Sequence, residues 1–249
     1  MELIHESDYK KIYKDGNLVH KVFFGRFTMS NVLNEALNQT RCTDFGIKVP
    51  RIHKVEDTKE GLDIVSDFIE GEDLFEYAKN NNISDEEMLT EFCKLQIKIC
   101  KIEHGEVRYI VNKMLDNIMK TDLKGTYKYF FSFELKDMPR MYNLLHGDFY
   151  PTNIIKTKSG EPVVIDWSHA AIGNPVFDVA NTYLLFILHN KKDMAEKYLD
   201  IYCKIADCQK AEILKVVPYV AASVLYRYVN DKDRYNILVN IVEESFANG

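Results

Sequence analysis

Three oxygen-bearing side chains stand out for chemistry. His146-Gly147-Asp148-Phe149-Tyr150-Pro151-Thr152-Asn153 puts a carboxylate and a carboxamide five residues apart on one tight loop. A second carboxylate, Asp166, closes the apolar run Val163-Val164-Ile165 and is followed by Trp167. Gly173-Asn174-Pro175-Val176-Phe177-Asp178 comes next. Hard cations take oxygen ligands, so such a set suits a magnesium-bound nucleotide. An aspartate near that metal can accept a proton from a substrate hydroxyl.

The elements that must position these groups change character along the chain. Extended segments are expected at residues 2–5, 11–13, 18–24 and 62–68. Asp15-Gly16 is a hairpin signal between two of them. One helix, about 30–43, interrupts them, with Ser30 or Asn31 as its cap. Gly46 ends it, and Val49-Pro50 returns the chain to extended structure. From Gly71 the pattern is mostly helical. Ser84-Asp85-Glu86-Glu87 reads as a capping box, opening a helix with Met88, Leu89, Phe92, Leu95, Ile99 and Ile102 on one stripe. Residues 106–120 form the next helix. Two short strands, 143–145 and 163–166, carry the loop and Asp166. Helices at about 175–190, 193–206, 210–229 and 233–246 close the chain, the third kinked by Pro218.

The ordered set His146-Gly147-Asp148-x4-Asn153, Ile165-Asp166-Trp167 and Asp178 resembles the aminoglycoside phosphotransferase and choline kinase family, small-molecule relatives of the protein kinases. The resemblance implies an α+β, two-lobed, protein-kinase-like fold. Its small sheet-rich nucleotide-binding lobe would span residues 1–70, and its larger helical catalytic and acceptor-binding lobe residues 71–249. It implies transfer of the γ-phosphate of ATP or GTP to a hydroxyl of a small molecule. Asp148 would be the catalytic base, and Asn153 and Asp166 would hold Mg²⁺. Leu18-Val19-His20-Lys21-Val22-Phe23 looks like the strand whose lysine holds the α/β-phosphates, with Glu35 as that lysine's partner. Asp67, Phe68 and Ile69 look like the hinge along the adenine. His146 and Asp178 are read as supports of the catalytic loop. The turn between the first two strands, Glu6-Ser7-Asp8-Tyr9, departs from the family in lacking a glycine.

Three rivals share this fold; one, an interaction module that merely keeps it, is disfavoured by the intact Lys21, Asp148, Asn153 and Asp166. A protein kinase is disfavoured by HGD in place of HRD and by the lack of room for an activation segment before Asp178. A nucleotide-binding pseudo-enzyme finds its support in the missing loop glycine.

Composition narrows the classes. The 249 residues carry 32 basic and 38 acidic side chains, a net charge of −6, which disfavours a nucleic-acid partner. Residues 71–249 alone carry a net −4, so the expected acceptor is cationic. No apolar run approaches the roughly 20 residues that a membrane span needs. The opening MELIHESDYK has no apolar signal core. Five cysteines, Cys42, Cys93, Cys100, Cys203 and Cys208, form no CxxC pair and read as reduced thiols of a cytoplasmic protein. His5, His20, His53, His104, His169 and His189 show no metal-binding spacing. Tyr219, Tyr226 and Tyr228 lie on a helical segment read as a buried face, with a substrate pocket as the alternative.

Overall fold

The computed structural model describes residues 1–25, 27–103 and 106–247; His104 therefore lies outside the described residues. The chain divides into two compact units. The first comprises residues 1–82 and 151–169, the second residues 83–150 and 170–249.

The first unit is built on a five-stranded antiparallel sheet of order β1-β2-β3-β5-β4. Its strands are β1 (Glu2–Ser7), β2 (Lys10–Asp15), β3 (Leu18–Phe23), β4 (Ile52–Thr58) and β5 (Gly61–Asp67). The β2–β3 hairpin turns at Gly16-Asn17, where Gly16 has φ +58°. The β1–β2 hairpin turns at Asp8-Tyr9, and neither residue takes a positive φ. That turn therefore closes without a glycine.

Helix α1 (Met29–Asp44) lies on β4 and β5. Its cap is Thr28, two residues before the expected Ser30. Thr28 Oγ1 accepts the Asn31 N–H at 3.3 Å, and Asn31 Oδ1 accepts the Thr28 N–H at 3.1 Å. Val32, Glu35, Ala36, Gln39 and Cys42 form its buried stripe. Val32 and Ala36 join Phe23 and Ile64 in a small core, flanked by Phe27, Ile52, Val55 and Leu62. Each large apolar side chain buried there contributes about 1.5–3 kcal/mol.

A second, three-stranded sheet of order β6-β8-β9 completes this unit. It contains β6 (Gly71–Asp73), β8 (Ile154–Thr157) and β9 (Pro162–Val164). A Cβ on Gly71 would come within 2.2 Å of the Lys156 carbonyl oxygen, so the close approach of β6 to β8 needs glycine. Asp73 caps α2 (Leu74–Asn80), accepting the Phe75 N–H at 2.9 Å. The boundary expected at Glu70-Gly71 thus falls inside the first unit. Strand pairing returns 154–157 to β6, which contact along the sequence does not reveal.

The second unit is mainly helical. It comprises α3 (Asp85–Cys100), α4 (Ile110–Met119), α5 (Gly125–Asp137), α6 (Pro175–Leu188), α7 (Lys192–Ala206), α8 (Lys210–Val224) and α9 (Lys232–Ala247). A two-stranded ribbon pairs β7 (Asn143–Leu145) with β10 (Ala171–Gly173). Ser84 caps α3 as a capping box with Glu87. Helix α8 runs through Pro218 and ends at Val224, short of the expected 229, and a 3₁₀ turn at Leu225–Arg227 follows. Apolar packing centres on α6, where eleven residues are buried. Phe92, Phe149, Phe186 and Tyr198 meet there ring against ring, Phe92 lying 4.6 Å from Phe149 and 5.7 Å from Tyr198.

Candidate active site

In the first unit, strand alternation sets Lys21 and Phe23 on the same face of β3, toward α1. Glu35 comes from the buried stripe of α1, and its Oε1 accepts a short hydrogen bond from Lys21 Nζ. Lys21 Nζ also lies 3.2 Å from Asp166 Oδ1. Burial alone would depress the lysine's pKa. The carboxylates of Asp166 and Glu35 outweigh it and push the ammonium above its usual range. For Glu35, burial is the larger influence and raises its pKa despite Lys21. Burial also opposes ionisation of Asp166, but Lys21 and Lys10 hold its carboxyl well below the usual carboxylate range.

Asp166 has φ +61°. Among the described residues, the other non-glycine residues with positive φ are Asn82, Asn190 and Asp207, each at or just beyond a helix C-terminus. Such ends favour the left-handed conformation. Asp166 instead follows a strand, so its strain has no capping explanation, and strain of this kind collects at functional sites. Its Oδ1 is buried without a hydrogen-bond partner of good geometry. Asn153 is tied to the same place through the backbone. The Ile165 N–H donates to the Asn153 carbonyl at 2.9 Å, one residue before Asp166. The Asp166 carboxylate is an oxygen donor of the kind that suits Mg²⁺, which takes few protein ligands, and the Asn153 backbone is held beside it.

Lys10, at the start of β2, is a residue that sequence reasoning missed. Its Nζ lies 3.5 Å from Asp166 Oδ2. The expected hinge is also in this unit. The Asp67 carboxylate accepts the Arg51 N–H at 3.1 Å and pairs with His53 Nε2 at 2.7 Å. The N–H groups of Asp67 and Phe68 donate to the carbonyls of Arg51 and Asn17 at 3.0 and 2.8 Å. Lys14 Nζ sits 4.1 Å from the centroid of the Phe68 ring.

In the second unit, the loop carrying Asp148 is fastened from three helices. Asp178 Oδ1, on α6, accepts the Gly147 N–H at 2.6 Å. Its Oδ2 accepts Gln96 Nε2 of α3 at 3.1 Å, and Gln96 Oε1 accepts the Tyr198 hydroxyl of α7 at 2.6 Å. Asn181 Nδ2 donates to the Gly147 carbonyl at 3.1 Å, and Thr182 Oγ1 to the Phe149 carbonyl at 2.8 Å. His146 is fully buried, and its Nδ1 accepts the Asp148 N–H at 3.2 Å. Gly147 has φ +75°, so the bend that turns Asp148 out requires glycine. Burial raises the pKa of Asp178, against the pull of His146 and the Gly147 N–H.

The expected residues thus divide between the two units. Lys21, Glu35, Asn153, Asp166 and the hinge are in the first; Asp148, His146 and Asp178 are in the second. The sequence also gave no hint of Arg227, whose Nη1 lies 4.0 Å from Asp148 Oδ1. Of the three tyrosines, Tyr219 is buried against Phe131, at 5.1 Å between ring centroids. Tyr226 and Tyr228 are half-buried and face the protein's own cations.

Residues 129–214 match the model of the phosphotransferase enzyme family (APH), a stretch that includes Asp148, Asn153, Asp166 and Asp178. The fold is kinase-like, shared with aminoglycoside phosphotransferases and choline kinases. One solved relative is a thermostable mutant of the aminoglycoside phosphotransferase APH(4)-Ia, in a ternary complex with ADP and hygromycin B. It is 15% identical, with 97% of this chain and 91% of that chain covered and a TM-score of 0.70. A second is the choline kinase LicA from Streptococcus pneumoniae, 16% identical over 98% of this chain and 92% of that one, with a TM-score of 0.60. A third is a choline/ethanolamine kinase family protein from Mesorhizobium loti, 14% identical over 99% and 85%, with a TM-score of 0.55. No curated protein sequence matches the chain.

Proposed function

We propose that this protein is a Mg²⁺-dependent phosphotransferase that moves the γ-phosphoryl group of ATP to a hydroxyl of a small molecule. The observation that carries the reading is the grouping of Lys21, Glu35 and Asp166, whose φ of +61° is left-handed. Lys21, oriented by Glu35, receives the α/β-phosphates. Asn153 and Asp166 would hold Mg²⁺, whose charge offsets that of the phosphates. With the N–H groups of Asp67 and Phe68 committed elsewhere, Ile69 supplies the backbone donor to the adenine. ATP is favoured over GTP by the ADP named with the APH(4)-Ia relative.

Asp148 orients the acceptor hydroxyl and takes its proton. The acceptor oxygen bonds to the γ-phosphorus as the bridging P–O bond breaks, and ADP leaves with that electron pair. The transition state is loose, so positioning and charge neutralisation supply most of the rate. The hairpin at Asp8-Tyr9 needs no glycine and sets Lys10 beside Asp166, which weakens the case for a pseudo-enzyme. Five cysteines without a disulfide favour a reducing compartment, the cytoplasm.

The test is a screen of hydroxylated small molecules with ATP, followed by ³¹P NMR with and without Mg²⁺. Mg²⁺-dependent formation of ADP and a phosphorylated acceptor is the expected result. No ATP turnover with any acceptor, and no Mg²⁺-dependent hydrolysis, contradicts the reading.

A further inference from the structure

Two lysines from neighbouring strands converge on one carboxylate in the first unit. Lys10 opens β2 and lies opposite Phe23 of β3, while Lys21 lies opposite Ile12. Residues two apart on paired strands share a face, so both side chains leave the sheet on the same side. The backbone beneath Lys10 is held. Ser7 Oγ donates to the Lys10 carbonyl at 3.3 Å, and the Phe24 N–H donates to the Tyr9 carbonyl at 3.0 Å. The glycine-free turn thus delivers the ammonium to a set place, 3.5 Å from Asp166 Oδ2. Lys21 takes the other oxygen at 3.2 Å and also has Glu35.

The two ammonium groups are not equivalent. Lys21 is wedged between two carboxylates, and its side chain is 14% exposed; that of Lys10 is 23% exposed and meets Asp166 at the longer distance. Lys21 and Glu35 also act on Lys10, with opposite signs. Lys10 is therefore the ammonium that leaves Asp166 more easily, since it gives up one long contact that is partly in water. A divalent cation that takes an Asp166 oxygen meets this ammonium at close range, and like charges a few ångströms apart in a partly buried place repel strongly. A polyphosphate relieves the conflict, because its oxygens accept the displaced ammonium in charge-assisted hydrogen bonds.

We propose that Lys10 is an exchangeable gate on the Asp166 carboxylate. It competes with a divalent cation for Oδ2 and passes to the phosphate oxygens of the nucleotide. The site then takes the metal together with a polyphosphate and disfavours the metal alone. The inference rests on the phosphotransferase reading and deepens it, naming a second phosphate-binding lysine and coupling metal to nucleotide. The coupling is reciprocal: the gain in metal affinity that a polyphosphate brings equals the gain in polyphosphate affinity that the metal brings. No covalent bond is made or broken in the exchange. A lysine suits the part, being a point charge on a long, flexible stem that reaches either partner. Lys21 keeps Glu35 as its partner throughout.

The experiment measures binding to the full chain. Mn²⁺ alone, followed by electron paramagnetic resonance, reports the metal. Mg·ATP and adenosine, followed by calorimetry, report the nucleotide with and without its phosphates. Lys10→Met should bind Mn²⁺ alone about three- to tenfold more tightly than the parent, and Mg·ATP about three- to tenfold more weakly. Adenosine affinity should stay within about twofold. Lys10→Arg, which keeps the charge, should move both affinities back toward the parent. The opposite signs are the signature, because a merely structural lysine would weaken both ligands or neither. Both affinities falling together in a folded variant, or either one unmoved, overturns the inference. Lys10→Gln repeats the measurement if the methionine variant does not fold. If neither folds, the contact with Asp166 is structural and the inference fails. Each of these failures leaves the phosphotransferase reading standing as long as the parent binds Mg·ATP. No Mg²⁺-dependent binding of ATP by the parent removes both.

Discussion

Lys10 Nζ stands 3.5 Å from Asp166 Oδ2, across 156 residues of sequence. Lys21 approaches the other oxygen of the same carboxylate at 3.2 Å. Asp166 is thus bracketed by two ammonium groups. Lys10 follows the glycine-free turn at Asp8-Tyr9, at the start of β2. Lys10→Met should raise the KM for Mg·ATP by about three- to tenfold, in line with loss of one charge-assisted contact. Lys21→Met should raise it further. Steady-state kinetics in ATP checks both, and an unchanged KM in the Lys10 variant would make its contact with Asp166 purely structural.

The Lys21–Asp166 pair should also mark the pH dependence of stability. Lys21 has its pKa raised in the folded state. Its contribution is therefore complete below the ordinary lysine value of about 10.4 and lost as pH climbs through the folded value. Asp166 has its pKa lowered, so its contribution is present above about 3.9 and lost as pH falls through the folded value. Lys21→Met leaves the buried Glu35 carboxylate without its ammonium and Asp166 with Lys10 alone, and should cost about 3 kcal/mol at pH 7. The gap between variant and parent should narrow at both pH extremes. Urea unfolding at pH 3, 7 and 11 measures this, and a gap independent of pH would contradict the coupling.

Metal dependence should follow Asp166. In calorimetry, Asp166→Ala should lose the Mg²⁺-dependent part of ATP binding while its far-UV circular dichroism stays that of the parent. Equal Mg·ATP affinity in variant and parent would remove Asp166 from the metal site.

The loop that carries Asp148 depends on its fastening. Gly147→Ala places a Cβ at φ +75° and should cost about 1–2 kcal/mol. Asp178→Ala strands the Gly147 N–H, at about 1–3 kcal/mol for a buried group left unpaired, and takes one of two acceptors from Gln96 Nε2, which keeps Thr182 Oγ1 at 3.2 Å. Both variants should lower kcat, because Asp148 is no longer held. Their Mg·ATP affinity should stay within about twofold of the parent, since Lys21 and Asp166 belong to the other unit. A large loss of nucleotide affinity would show that the fastening serves another purpose.

The parts of this site that could be read in the sequence are those fixed by local spacing. The five-residue step from Asp148 to Asn153 shows without a structure, and so does the carboxylate ending a short apolar strand. The Ser84–Glu87 box is equally local, being a reciprocal hydrogen bond within one turn. Helix α5 had no such signature. Tyr129, Phe130 and Phe133 are exposed while Phe131 and Leu135 are buried, so its aromatic residues trace no single stripe. The assignment of 151–169 to the first unit depends on β6 pairing with β8, a contact between distant segments. Lys10 and Arg227 escaped notice for the same reason, since a lone lysine or arginine has no periodicity and acquires meaning from the carboxylate it meets in the fold.

The most direct test of the whole account is the turnover of Asp148→Asn with an accepted hydroxyl compound. Asparagine keeps the shape of the side chain and removes its capacity to take a proton. The account expects Mg·ATP to bind the variant as it binds the parent, and phosphoryl transfer to fall by about two orders of magnitude or more. Transfer at the parent's rate by this variant would contradict it.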